Sequence, residues 1–121
     1  MKWFTFAAEQ GNALAQSNLS AMYAKGKGVP RDDETAVKWW KLAAKQGHVS
    51  AQFELGVSYA NGQGVKQDNV YAHMWWNIAA SSGHKGAVKN RDIVAKRMTP
   101  ADISAAQTLA RECVAKNYKG C

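Results

Sequence analysis

Apolar residues recur along the chain at spacings of three and four, which place them on one face of a helix. In the first half of the chain these positions are Ala15, Leu19, Met22, Tyr23, Ala36, Trp39, Trp40 and Ala43. Glycine-rich segments separate the apolar runs and interrupt the helical spacing. The pattern predicts seven helices, over residues about 2–10, 13–25, 33–46, 49–61, 69–82, 85–98 and 100–117.

The pattern itself repeats at an interval of 36 residues. Residues 12–47 and 48–83 are identical at 15 of these 36 positions. Each unit holds two helices, too little to bury an apolar face alone, so neighbouring units must stack. Residues 1–11 match the second half of a unit, and residues 84–121 form a degenerate unit with a cap. The sequence therefore predicts one all-α domain of stacked two-helix units with a C-terminal capping helix.

The connections inside each repeat carry their own signals. Gly26 and Gly62 end the first helix, and Asp32 and Asp68 stand where a side chain can cap the second. The third unit departs from this scheme because the Gly-x-Gly-Val loop does not return. Instead, residues 99–102 (Thr-Pro-Ala-Asp) have the pattern of a helix start with proline at its first position.

These residues resemble a known family. The pattern Ala-x-x-x-Leu-Gly-x-x-Tyr-x-x-Gly-x-Gly-Val-x-x-Asp-x-x-x-Ala-x-x-Trp-x-x-x-Ala-Ala-x-x-Gly, read from Ala51 to Gly83, is similar to the Sel-one-like repeat. That repeat is a relative of the tetratricopeptide repeat with a longer loop, and the resemblance covers residues 3–86. Repeat 1 has Ser20 where the family pattern has the glycine that repeat 2 carries as Gly56. The resemblance implies an α/α superhelix, a solenoid of tetratricopeptide-like repeats, with an adaptor or scaffold role in bacterial protein complexes.

The tetratricopeptide geometry also implies a concave groove lined by the first helix of each repeat, which would hold a peptide or a partner helix. The residues predicted to face it are Leu14, Ser17, Ala21, Ala24 and Lys25 in repeat 1, Ser50, Phe53, Val57, Ala60 and Asn61 in repeat 2, and Lys89, Ile93, Lys96 and Arg97 in the third unit. Among these residues, Phe53 is the predicted anchor, because a large aromatic side chain among small ones is typical of a binding hot spot.

The first residues, Met1 to Ala8, combine one positive charge with a short apolar stretch, as a signal peptide does. The repeat overrules that interpretation, because Trp3 and Phe4 stand 36 residues before Trp39 and Trp40. The first helix of that unit is absent from the chain. We therefore expect either a longer native chain or a homodimer that covers the apolar residues of this helix.

The chain carries a net charge of +7, and residues 85–121 hold eight basic and three acidic side chains. This excess permits an alternative function, a basic module that binds nucleic acid or an anionic surface. A nucleic-acid groove usually interleaves aromatic residues with basic ones, but Tyr118 is the only aromatic residue of this segment. We therefore favour a protein partner and expect no nucleic acid. No apolar run is long enough for a membrane span.

Candidate catalytic and metal-binding residues are few. His48 and His84 recur one repeat apart, which is too far for a shared metal ion, and His73 has no second ligand at helical spacing. The Trp39–Trp40 and Trp75–Trp76 pairs are better explained as core than as a stacking surface. No nucleophile–base motif or phosphate-binding loop is present. We predict a non-enzymatic protein with no cofactor and no metal.

Cys113 and Cys121 are the only cysteines, eight residues apart, with Asn117 and Gly120 between them to turn the chain. A helix end followed by a tight turn can bring the two Cα atoms within bonding range, so we predict a disulfide. A disulfide favours an oxidising compartment, so the protein would be periplasmic or secreted. If the two thiols stay reduced, the expected compartment is the cytoplasm.

Overall fold

The computed structural model describes residues 2–121, and in this range the chain forms seven α-helices and no strand. The helices are α1 (Lys2–Glu9), α2 (Ala13–Lys25), α3 (Asp33–Ala44), α4 (Val49–Asn61), α5 (Asn69–Ser81), α6 (Lys85–Ala95) and α7 (Pro100–Ala115). The predicted all-α fold is confirmed. Five helices end one to three residues earlier than predicted, because the last predicted residues form a turn that leads into the next connection. Met1, in the predicted partial repeat, lies outside the described residues.

Cap residues define the helix boundaries. The Asp68 carboxylate accepts hydrogen bonds from the amides of Val70 and Tyr71 at 2.9 and 3.1 Å, and thereby starts α5. Asp32 caps α3 in the same way, through the amide of Thr35. Gly62 adopts the left-handed conformation that ends α4. The two repeats therefore share one local solution to the turn between their helices.

Consecutive helices pack on one another from α1 to α6, so that α2, α4 and α6 form one layer and α1, α3 and α5 the other. The core between the layers is built on Trp40, Trp75 and Trp76, which are all buried, and on Leu19 and Leu55. These tryptophans occupy the core, as the sequence predicts. Trp39 is only partly buried and packs beside α1.

Gly64 fixes the contact between the two full repeats. Its φ of +75° is in the left-handed region, and a Cβ atom there would overlap the backbone carbonyl of Asp33 and the side chain of Val37. The loop of repeat 2 therefore packs directly on the first turn of α3 in repeat 1.

The closing helix α7 packs against α5 rather than against α6, the helix before it in the chain. Ala110 and Cys113 of α7 join the core cluster that holds Trp40 and Trp75. The predicted disulfide is present: Cys113 and Cys121 are bonded, with their Cα atoms 5.9 Å apart. None of the described helices is long and apolar enough to cross a membrane.

Candidate functional site

Residues at the 36-residue interval lie on α2, on α4 and on the segment from α6 to Arg97. One set of equivalent positions is Ala21, Val57 and Ile93, and another is Lys25, Asn61 and Arg97. The first set is apolar, and the second holds two cations and an amide. Residues one repeat apart occupy equivalent places in a solenoid, so the two sets form parallel rows across the layer.

A pocket of about 210 Å³ lies between α4 and α6. Its lining residues are Val57, Ala60, Asn61, Asn69, Trp76, Asn90, Ile93, Val94 and Arg97. We call it the Asn–Arg pocket. Five residues that the sequence placed on the concave groove meet here, contributed by α4 and by the segment from α6 to Arg97.

The polar groups of the Asn–Arg pocket are largely unengaged. Asn61 and Asn90 make no side-chain hydrogen bond within residues 2–121, and Arg97 forms no salt bridge there. Asn69 is partly engaged, because its Oδ1 accepts a hydrogen bond from Gln67 at 2.6 Å. Amide and guanidinium groups without partners at the wall of a pocket are available to a ligand.

Trp76 forms the inner wall of this pocket and is held by α4. Its side chain is 5% exposed, and its indole Nε1 donates a hydrogen bond to the carbonyl oxygen of Phe53 at 3.0 Å. A Cβ atom at Gly56 would overlap the same indole ring. The wall is therefore rigid, since both a hydrogen bond and a close backbone contact fix it.

A second pocket of about 160 Å³ lies between repeats 1 and 2. Its lining includes Ala24 of α2, Trp40 of α3, and Glu54 and Val57 of α4. Val57 lines both pockets, so the two cavities are neighbours along α4. Burial raises the pKa of Glu54, and the positive charge of Lys25 partly offsets this shift.

Glu54 lines this second pocket, although it is not among the residues predicted to face the groove. Its counterparts one repeat away are Asn18 and Asn90, so the repeat pattern gave no sign of a carboxylate. The available signal was its position on α4, one residue after Phe53 and three before Val57. Residues three apart on a helix lie on the same face, so Glu54 shares the face of α4 that carries Val57.

Several predicted groove residues lie outside both pockets. Phe53, the predicted anchor, stacks on the ring of His84 with centroids 4.5 Å apart and packs against the core cluster of Trp76. Its ring is therefore already occupied within the protein. The other predicted residues that line neither pocket are Leu14, Ser17, Ala21, Lys25, Ser50, Lys89 and Lys96. Their contact with a partner stays a prediction.

His84 and His73 have different surroundings. His84 caps α6, because its Nδ1 accepts a hydrogen bond from the amide of Ala87 at 3.0 Å. His73 is buried in α5, its Nδ1 has no hydrogen-bond partner, and burial lowers the pKa of its imidazole. In the described part of the chain, no three His, Cys, Asp or Glu side chains are grouped to hold a metal ion.

Two-helix units that are joined by a glycine loop and packed on one another around Trp40 and Trp75 define an α/α solenoid of tetratricopeptide-like repeats. The Sel1 repeat model matches residues 1–12, 13–48 and 49–84 of the chain. The chain therefore belongs to the Sel1 repeat family, whose members are commonly protein–protein interaction modules.

Two solved structures are similar to this chain. One is a protective antigen present in uropathogenic Escherichia coli strains that displays an SLR fold, with 33% identity over 97% of this chain and a TM-score of 0.91. The other is a Sel1 repeat protein from Oxalobacter formigenes, with 40% identity over 75% of this chain and a TM-score of 0.73.

The chain spans 26% of the length of the Escherichia coli antigen and 68% of that of the Oxalobacter protein. Among curated proteins, no match to the chain was found.

Proposed function

We propose that this protein is an adaptor that binds a peptide or a partner helix in its groove, at the Asn–Arg pocket. The observation that carries the proposal is the combination of an apolar floor, at Val57 and Ile93, with unengaged polar groups on Asn61 and Arg97. Protein-binding sites commonly join an apolar centre to a polar rim. The Sel1 repeat family supports the same class of function.

We propose a binding role rather than a catalytic one. The polar side chains of the Asn–Arg pocket are amides and a guanidinium. Amides do not titrate and a guanidinium stays protonated at neutral pH, so these groups donate hydrogen bonds but do not transfer protons. The pocket is suited to recognition and offers no general acid or base of its own.

We propose an oxidising compartment, the periplasm or the exterior of the cell, because the disulfide between Cys113 and Cys121 joins a buried core residue to the end of the chain. A protein isolated with both thiols free would instead belong to the cytoplasm.

The alternative, a nucleic-acid or anionic-surface module, has less support. Tyr118, the one aromatic residue of the basic segment, is partly buried and packs against the main core cluster. Titration of labelled single and double strands at low and moderate salt tests this alternative, because counterion release makes such binding fall steeply with salt. Tight, salt-sensitive binding would replace the adaptor proposal.

Selection from a library of displayed random peptides tests the proposal. Selected peptides should bind the wild type and lose binding to Val57→Lys, which places a charge on the pocket floor. Val114→Lys is the matched control, because Val114 is exposed on α7 and lines neither pocket of the groove. Peptides that bind both variants equally would place the binding site outside the groove, and a selection that yields no peptide would contradict a peptide-binding role.

A further inference from the structure

We infer that the Asn–Arg pocket selects an extended segment in which an Asp or Glu side chain lies next to a large apolar residue. The inference rests on the proposed function and names the chemistry of the partner. It combines three properties of the pocket, namely its charge, its amide groups and its size.

The charge of the pocket is positive. Arg97 is the only charged residue in its lining, and it has no ion-pair partner among residues 2–121. The nearest acidic residue along α6 is Asp92, which pairs with Arg91 at 3.2 Å. Arg91 in turn donates to Asn77 of α5 at 3.0 Å, so this ion pair is directed at α5 and not at the pocket. An unpaired guanidinium favours a carboxylate, which it can bind through two parallel hydrogen bonds.

The amide groups favour an extended backbone over a helix. Asn61 of α4 and Asn90 of α6 both line the pocket, and each side chain offers a donor and an acceptor. An extended segment has free backbone N–H and C=O groups that match this set, whereas a helix already uses its own internally. The two amides of the protein therefore bind the main chain of the partner segment, while the side chains of that segment provide selectivity.

The size of the pocket allows one large side chain. A helix is about 10 Å across with its side chains, and a volume of about 210 Å³ cannot enclose it. The floor of Val57 and Ile93 is apolar, so a leucine, methionine or aromatic side chain gains free energy by covering it. Ile93 is 45% exposed and would be covered by such a side chain.

The neighbouring pocket does not offer the same charge. Its charged lining residues are Arg31, Asp33 and Glu54, and Arg31 pairs with Asp33 at 3.3 Å. Among the lining residues of the two pockets, Arg97 is therefore the cation without an ion-pair partner in the described chain. The acidic residue of the partner lies at the Arg97 side of the apolar residue.

The test uses the groove-dependent peptides from the display selection, synthesised with acetylated and amidated ends so that only side-chain carboxylates remain. Affinity is measured by calorimetry for the wild type, Arg97→Gln and Arg111→Gln. Arg111 is exposed on α7 and provides the same change of charge away from the groove. We expect Arg97→Gln to weaken binding about tenfold or more, as for the loss of a charge-assisted hydrogen bond, and Arg111→Gln to have little effect.

The matched peptide in which Asp or Glu is replaced by its amide should also bind the wild type about tenfold more weakly. It should lose little more with Arg97→Gln, because the two changes remove one interaction. Groove-dependent peptides that lack an acidic residue, or equal affinities for Arg97→Gln and Arg111→Gln, would overturn the inference and leave the proposed function standing. A free C-terminus that restores affinity to the amide peptide would also overturn it, in favour of a terminal carboxylate. A selection in which no peptide loses binding to Val57→Lys would instead remove the proposed function itself.

Discussion

The indole ring of Trp76 lies against the backbone of Gly56, so closely that a Cβ atom at residue 56 would overlap its Nε1 and Cδ1 atoms. The same Nε1 donates to the carbonyl oxygen of Phe53, one turn earlier on α4. Trp76 also walls the Asn–Arg pocket. A single contact between two helices of one repeat thus supports both the core and the site.

Gly56→Ala should lower stability despite the better helix propensity of alanine. The gain in propensity is up to about 1 kcal/mol, and the overlap with Trp76 costs about 1–3 kcal/mol, so we expect a net loss on the order of 1 kcal/mol. Urea denaturation measures it. Ser20→Ala, at the equivalent position of repeat 1, is the control. The Ser20 hydroxyl is buried without a hydrogen-bond partner, so its removal should be neutral or stabilising. A Gly56→Ala variant as stable as the wild type would contradict the prediction.

The contribution of His73 to the stability of the protein should fall as the pH drops below about 6.5. Burial, and then the positive charge of Arg91, lower the pKa of His73 from its ordinary value of 6.5. The unfolded chain therefore takes up a proton before the folded chain does. This contribution to stability is complete above pH 6.5 and is lost progressively as the pH falls towards the lowered folded-state pKa.

Urea midpoints at pH 7.5 and 5.5 check this prediction in the wild type and in His73→Val. Valine occupies the equivalent buried position, Val37, in repeat 1, so the substitution suits the site. The variant should show a smaller difference between the two midpoints. His48→Gln removes another imidazole and should leave most of the difference in place. Equal pH dependence in His73→Val and the wild type would contradict the prediction.

Loss of the disulfide should destabilise the protein without unfolding it. The bridge closes a short loop, for which chain entropy gives about 2–3 kcal/mol. Cys113 is 2% exposed, within the main core cluster, whereas Cys121 is partly exposed. Cys113→Ser should therefore cost more than Cys121→Ser, because only the former buries a hydroxyl in an apolar site.

Thermal denaturation of both variants and of the reduced wild type provides the measurement. Mass spectrometry after alkylation without reductant, on protein from its native compartment, reports whether the bridge forms in the cell. Two alkylated thiols there would contradict the proposed oxidising compartment.

Self-association through α1 is expected at high concentration. Trp3 and Phe6 are 70% and 64% exposed on this helix, and a Trp and a Phe together can bury on the order of 300 Å². Sedimentation velocity over a range of concentrations should show a dimer for the wild type and a monomer for the double variant Trp3→Ser, Phe6→Ser. Leu42→Ser, which changes an exposed apolar residue of α3, is the control. A wild type that stays monomeric at high concentration would exclude this interface.

The fold could be predicted because its signals are local and occur twice. Gly62 and Asp68 end and start helices as Gly26 and Asp32 do, so each repeat supports the prediction for the other. The disulfide was also predictable, since Asn117 and Gly120 supply the turn between the cysteines and both have positive φ.

The site was only partly predictable, because periodicity gives the face of a helix and not the neighbours of a side chain. Phe53 lies on the predicted face, but the ring of His84 covers it. The position of Glu54 in a pocket could not be predicted, because neither of the other units has an acidic residue at the equivalent position. The packing of α7 against α5 had no signal either, since the repeat pattern ends before that helix and long-range contacts leave no periodic trace.

The contact of Gly64 with the first turn of α3 links the loop sequence to the ligand preference that such a protein can evolve. This contact limits how closely the loop of repeat 2 approaches α3 of repeat 1, and Asp33, which takes part in it, lines the cavity between the repeats together with Gln63. A larger residue at position 64 would shift the two repeats relative to one another and so change the shape of that cavity. New ligand preferences can thus arise from substitutions that never touch a ligand.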